Sequence, residues 1–473
     1  MSAPPSVGGP VAVDTGEMLR AAAVLGGARK GLRGLAARAR AAALGASPHV
    51  SGALHEAADR LDDAERQAAL AADGLRTAAQ RYGWTEHAIA RSQQTGFALA
   101  GAIEGLGLRI APAPTLLADA LVSGGFLAQQ ALDEWIRTGR IAPQSDPEVV
   151  RWLQLRLSSL DDTVRGLLGV ETPRDLLVDD PGSPFGTEAI GALLAAMIWP
   201  TAHPIAVRRT ASSPTARPGS LEELGRRLPD GASPEGQVRV ERYEDGGRAR
   251  WIVYSAGTVT FDVRSGEEPF DLESDVRGVA GTPTDAQRAV LDAMRQAGVG
   301  PDDPVLLVGH SQGALNVLRI AERGDYAVEG VVQFGGPTEQ IPAPPGVDVL
   351  QVTHDQDLVP ALGGVPAAAG AGTVVVRRSL PDAALRPVYG SGAAAAFPAH
   401  DMVEYRRTVA AAEASGSTRI AALRTRWTGF LGGEEGTATR YAARRIVPDG
   451  GEPVSAPGRP RSAGAAPAPP ASR

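Results

Sequence analysis

The 473-residue sequence reads as an all-α region, a helical hairpin or bundle, followed by an α/β domain with a mostly parallel sheet. Three observations carry that reading. Ala-rich runs with apolar residues three and four apart fill much of the first two hundred residues. Beyond residue 219, short continuous apolar runs alternate with amphipathic ones, which is the pattern of parallel strands covered on both faces. A single strong turn, Asp245-Gly246-Gly247, separates two alternating segments and signals a hairpin at the start of the sheet.

In chain order, residues 1–12 are rich in Pro, Gly and Ser and are expected to be loose. Thr15 to Leu44 reads as a helix, interrupted afterwards by Gly45, Pro48 and Gly52. A second helix runs from Ala53 to Tyr82, with Leu54, Ala57, Leu61, Ala64, Ala68 and Ala72 along one stripe. A third covers about Glu86 to Gly105. The first two read as an antiparallel hairpin with an Ala-rich seam, so 1–109 forms an N-terminal helical domain. Helices at 114–137, 147–168 and 187–198 make 110–202 a helical connecting region. Pro204, Ser212, Ser213, Pro214 and Pro218 mark 203–218 as a linker. Strands are expected at 237–243 and 249–255, then at 304–308, 329–335, 347–353 and 373–379. Helices are expected at 312–323 and 401–413, and at 284–297, where Pro283 and Thr284 supply start signals. The α/β unit spans 219–432. Residues 433–473 form a tail, mostly disordered, ending in the Pro/Ala/Gly/Ser-rich stretch 447–473.

Composition excludes several functions. With no cysteine, disulfides, thiolate catalysis and Cys-ligated zinc are ruled out. A net charge of −7 without a dominant basic stripe argues against a nucleic-acid binder. The longest apolar stretch, Ala189 to Val207, is broken by Pro200, His203 and Pro204, so no transmembrane helix is expected. The first 18 residues lack a basic start and an apolar core, so no Sec signal peptide is expected.

The chemistry centres on Gly309-His310-Ser311-Gln312-Gly313, a G-x-S-x-G pentapeptide. Such a pentapeptide recurs by chance, and its flanks give it meaning. The apolar strand Pro304 to Val308 precedes it and the amphipathic helix Ala314 to Ile320 follows, the strand–turn–helix context of a nucleophile elbow. Gly309 and Gly313 allow the two arms to cross closely while Ser311 sits at a strained backbone angle. The Gln312 N–H, at the helix start, would then face a developing oxyanion. The other reading is a Gly-rich turn with an exposed serine.

A serine nucleophile needs a base, and the base needs an orienting acid. Seven histidines are present, and only His354 and His400 follow Ser311. His354 ends a strand and precedes the nearby acids, which leaves His400 as base, in a loop running into a helix. Asp355 and Asp357 both follow the strand; Asp357 is preferred, with Asp355 as fallback. The second oxyanion donor is assigned to Thr258 after Gly257, where the strand through Trp251–Ser255 ends, although Gly257-Thr258 equally fits an ordinary strand-ending turn.

At these residues the sequence resembles the α/β-hydrolase superfamily, in its serine esterase and lipase branch, over about 219–432. The elbow, the Gly-Thr after the third strand, Asp357-Leu358-Val359-Pro360 and the His400 loop fall in the family's order, and the D-x-V-P run looks like the class 3 lipase pattern, which favours Asp357. Val331 to Pro337 resembles the strand after the elbow. The resemblance implies serine-dependent ester hydrolysis with no metal or cofactor, on a small-molecule or lipid ester. The span 380–399, where a lid would lie, carries few large apolar residues, which speaks against a long-chain lipid pocket.

The N-terminal region more loosely resembles helical-hairpin proteins exported by type VII (ESX) secretion in actinobacteria. Tyr82 and Glu86 fit the Y-x-x-x-[DE] export signal, while the turn 45–52 lacks the Trp-x-Gly of those proteins. This resemblance implies secretion machinery or a helical partner at 1–109, and either a cytoplasmic location or type VII-like export. The alternative to an enzyme is an exported or helix-mediated interaction protein whose hydrolase domain is an effector or a silent scaffold. Arg29, Lys30, Arg33, Arg38 and Arg40 form a basic run that reads as a solvated helix face or a site for an anionic partner.

Overall fold

Asp245-Gly246-Gly247 folds the chain back between β3 (Val238–Asp245) and β4 (Arg248–Ser255) in the computed structural model. Both glycines take positive φ, +56° and +80°, the requirement of a two-residue hairpin turn that matches strand twist. The structure describes residues 6–8, 15–138, 145–159, 162–163, 195, 203–231, 233, 235–262, 265–365, 372–381, 383–385 and 397–446.

From that hairpin the sheet grows by parallel addition. β5 (Val305–His310), β6 (Val328–Phe334), β7 (Asp348–His354) and β8 (Thr373–Arg378) follow β4 side by side, all parallel. Alternate residues of these strands enter two cores. Val253, Leu307, Val331 and Val349 pack against α7 (Asp285–Ala297) and α8 (Gln312–Arg323). Ile252, Leu306, Val332 and Leu350 pack against α5 (Leu221–Arg226), α10 (Met402–Ala414) and α11 (Thr418–Gly429). Burial on both faces is why these strands read as unbroken apolar runs. Helix α7 starts where expected, because Thr284 and Gln287 cap it reciprocally, and it stops at Gly298 in the left-handed conformation.

Two expectations about the domain's limits are corrected. Residues 203–218 are not a linker: β2 (Ile205–Ala216) is a twelve-residue strand. The tail does not begin at 433, because β9 (Glu435–Arg445) lies inside the sheet, antiparallel to β3 on one side and to β2 on the other. β2 is an edge strand, mostly solvent-exposed, so polar residues and Pro214 are tolerated where a central strand would be apolar. At the opposite edge β1 (Ser6–Gly8), in a segment expected to be loose, pairs antiparallel with β8. The complete order is β1-β8-β7-β6-β5-β4-β3-β9-β2. The stretch 447–473 lies outside the described residues.

In the helical half, α1 (Thr15–Ala43) is followed by α2 (Pro48–Ile110), one unbroken 63-residue helix in place of the two runs expected. The seam between them is built from alanines seven or fourteen residues apart: Ala22, Ala36 and Ala43 on α1, Ala58 and Ala72 on α2, all buried. The intervening layer holds Arg29 and Glu65, 3.0 Å apart, with Arg33 2.7 Å from the same carboxylate. Arg40 pairs with Asp59 and Asp62, so much of the basic run is matched across the hairpin. Pairs of rising number on α1 and falling number on α2 make the helices antiparallel. α3 (Pro112–Thr138) and α4 (Pro147–Ser158) follow. Arg156 of α4 ties Glu104 and Asp119 together, and the Ser158 hydroxyl accepts the Val365 N–H at 2.7 Å, anchoring the helices to the loop that follows β7. The helix expected at 187–198 lies outside the described residues apart from Ala195, which is helical. Among the described residues no helix is long and apolar enough to cross a membrane.

Candidate active site

Ser311 stands between the last residue of β5 and the first of α8, with φ +56° and ψ −126°. Among the described residues it is the one non-glycine with positive φ, a conformation that costs about 1–3 kcal/mol and persists only where its surroundings enforce it. The enforcement is steric. A Cβ on Gly309 would lie 2.2 Å from the Gly313 carbonyl oxygen, and one on Gly313 would lie 2.2 Å from the Ser255 carbonyl oxygen. The Ser311 N–H donates to the Phe334 carbonyl at 2.9 Å, locking the turn to β6.

The candidate acid comes from the end of β7. Asp357 caps the short helix α9 (Leu358–Ala361), accepting the Val359 N–H at 2.9 Å. Its Oδ2 lies 2.6 Å from His400 Nδ1. Burial alone would raise this carboxyl; the adjacent His400 and the hydrogen bonds from His400, Tyr405 and the Val359 N–H outweigh burial and hold it below the usual range. The Tyr405 phenol is pushed well above its ordinary value, by burial first and by the Asp357 charge second, so it stays a donor. Asp355 points elsewhere, bonded to the Ser379 hydroxyl with Arg377 3.8 Å away, and does not contact His400.

His400 ends a 3-10 turn, Pro398–His400. Its ring centroid lies 4.6 Å from that of His310, the neighbour of Ser311. His400 Nε2 is buried and has no hydrogen-bond partner among the described residues, so no Ser311–His400 hydrogen bond is closed here. Such bonds commonly tighten only when substrate is bound.

The opposite wall is Gly257-Thr258. A Cβ on Gly257 would sit 3.0 Å from the Ser311 Cβ, so this loop passes directly beside the serine. No described residue accepts a hydrogen bond from the backbone N–H of Thr258 or of Gln312. Their side chains converge on Asp275 of α6 (Leu272–Val279): Thr258 Oγ1 donates at 3.0 Å and Gln312 Nε2 at 2.8 Å. Gln312 Nε2 also reaches the Asp271 carbonyl at 2.7 Å. Burial pushes the Asp275 carboxyl up to about 7.

Asp271, which caps α6, is gripped in turn by Arg445 at the end of β9, with contacts of 2.5 and 3.1 Å. The fully buried Arg445 guanidinium also contacts Asp285 at 2.5 Å and Glu273 at 3.4 Å. His203, Glu273 and Asp285 bring three ligand-type atoms within 4.8 Å of one another. Arg277, Arg288 and Arg445 already pair with these carboxylates, so the cluster is an ion network built around arginine.

Sequence reasoning missed Asp275, Tyr405, and the supporting roles of His310 and His354. Each is a single residue without a local pattern, although Tyr405 lies one turn into the helix that His400 introduces. Tyr82 and Glu86 fall on the continuous helix α2, where side chains lie outside the described residues. So does most of the expected lid span, 386–396. Compared with known protein families, characterised proteins and solved structures, the chain gives no match.

Proposed function

We propose that the protein is a serine-dependent carboxylic ester hydrolase of the α/β-hydrolase type, working through an acyl-enzyme. The observation that carries this reading is the strained Ser311 at the end of β5, with a paired Asp357 and His400 supplied by the loop after β7 and by the turn before α10. Ser311 Oγ attacks the ester carbonyl carbon while His400 Nε2 takes its proton. The oxyanion receives the Thr258 and Gln312 N–H groups. His400 then protonates the departing alkoxide, and the carbon–oxygen bond to the alcohol breaks. Water repeats the sequence on the acyl-enzyme, releasing acid and restoring Ser311. Asp357 stays ionised and holds His400 in the tautomer with its proton on Nδ1. These steps need no metal or cofactor.

A series of chromogenic esters of increasing acyl length tests this reading. Turnover by the wild type that vanishes in Ser311→Ala is expected; equal rates for both proteins would overturn it.

A second reading, export or partner binding through the helical half, is favoured by the antiparallel α1–α2 hairpin. Secretion assayed with Tyr82→Ala and Glu86→Ala tests it. Reduced extracellular protein is expected, and an unchanged level would reject it.

A further inference from the structure

The turn that carries His400 is short. Its internal backbone bonds are His400 N–H to Phe397 at 2.9 Å and Asp401 N–H to Pro398 at 3.4 Å. Neither uses the carbonyls of Ala399 or His400. Those two carbonyls are instead taken by imidazoles: His354 Nδ1 lies 2.7 Å from the Ala399 oxygen, and His310 Nε2 lies 3.0 Å from the His400 oxygen. A carbonyl only accepts, so each nitrogen carries a proton. His354 Nε2 is then the acceptor for the Thr408 hydroxyl at 2.8 Å, and its ring stacks on Tyr405 at 4.0 Å. The two histidines close two different parallel strands, β5 and β7. One adjoins Ser311, and the other stands three residues before Asp357.

We propose that His310 and His354 are positioning residues that clamp the His400 turn by its last two carbonyls, so that the C-terminal ends of β5 and β7 fix nucleophile, acid and base in a common frame. Their catalytic part rests on the hydrolase reading above. Burial is the main reason why both imidazoles titrate low, His310 at about 3 and His354 at about 4. Both therefore remain neutral single donors through neutral pH. Gln and His place a terminal N–H at similar reach from the backbone, whereas Leu fills the space and donates nothing.

The experiment uses the full-length chain. Nitrogen-15 histidine NMR of the wild type reads the tautomers without reference to catalysis: His310 is expected protonated on Nε2 and His354 on Nδ1 at pH 7, and either opposite assignment removes the clamp. Steady-state kinetics on a soluble chromogenic ester then tests its consequence. In His310→Leu, kcat is expected to fall by about tenfold or more with KM nearly unchanged, because a misplaced base slows chemistry rather than binding. His310→Gln is expected to recover most of that loss. If His310→Leu unfolds, His354→Leu against His354→Asn carries the comparison: leucine removes the donor to the Ala399 carbonyl and is expected to lower kcat, while asparagine keeps a donor near Nδ1 and is expected to recover most of the loss. Wild-type turnover with an unaffected leucine variant overturns the clamp; absence of any Ser311-dependent turnover in the wild type overturns the hydrolase reading instead.

Discussion

The Tyr405 hydroxyl and the Asp357 carboxylate meet at 2.6 Å, on the same oxygen that receives His400 Nδ1. A buried carboxylate keeps its charge only when several donors surround it. Here Tyr405, His400 and the Val359 N–H supply them, and helix α10 delivers the tyrosine because its first turns follow His400 directly.

Removing that donor has a calculable cost. Tyr405→Phe is expected to destabilise the protein by about 1.5–3 kcal/mol, the range for a hydrogen bond to a charged group. Asp357 titrates below its unfolded value, so its contribution is present above the ordinary carboxylate range and fades as pH falls through its folded value. Urea denaturation of both proteins at neutral and acidic pH checks this: the difference should shrink in acid, and an unchanged difference would reject the charged-acceptor argument.

Asp275 behaves in the opposite sense. Its carboxyl is raised to about 7 by burial, so the folded state holds a proton that the unfolded chain has already released. Stability attributable to this group therefore declines as pH rises from about 4 toward 7. Asp275→Asn keeps an acceptor for Thr258 and Gln312 and removes the titration. Its advantage over wild type in urea denaturation should be larger at pH 8 than at pH 5; equal differences at the two values would contradict the assignment.

Arg445 joins the far end of β9 to the cap of α6, and through α6 to the loop beside Ser311. Arg445→Met leaves the buried Asp271 without its cation, a loss on the order of 3–5 kcal/mol. A chain stopped after Glu434 loses the strand that bridges β3 and β2, and is expected not to fold. Soluble expression and denaturation midpoints check both; a stable, cooperative truncated chain would show that β9 is dispensable.

Alanines line the fully buried layers of the α1–α2 seam. Ala58 is fully buried there, and Ala58→Leu is expected to cost about 1–3 kcal/mol by overpacking. Helical circular dichroism followed through urea measures it, with an unchanged midpoint as the contrary result.

The parts of the fold legible in the sequence are those governed by local chemistry. Asp245-Gly246-Gly247 can only turn, Pro283 and Thr284 start a helix, and glycines two residues either side of Ser311 mark the crossing of strand and helix. β2 and β9 were not legible because they owe their pairing to residues more than two hundred positions away and to an exposed, polar edge. The continuity of α2 was hidden by Gly83, which a long helix tolerates when packing elsewhere sustains it. Asp357 could be preferred over Asp355 from the Asp357-Leu358-Val359-Pro360 run and its resemblance to the class 3 lipase pattern, whereas Asp275 and Tyr405 become visible only when the helices carrying them are seen docked.

The most direct measurement is covalent labelling of the folded protein with a fluorophosphonate, with the modified residue located by peptide mass spectrometry. Stoichiometric phosphonylation at Ser311 is expected, slowed strongly in His400→Ala and absent in Ser311→Ala. A folded wild type that takes up no label, or one that labels equally after Ser311→Ala, would contradict a serine hydrolase at this site.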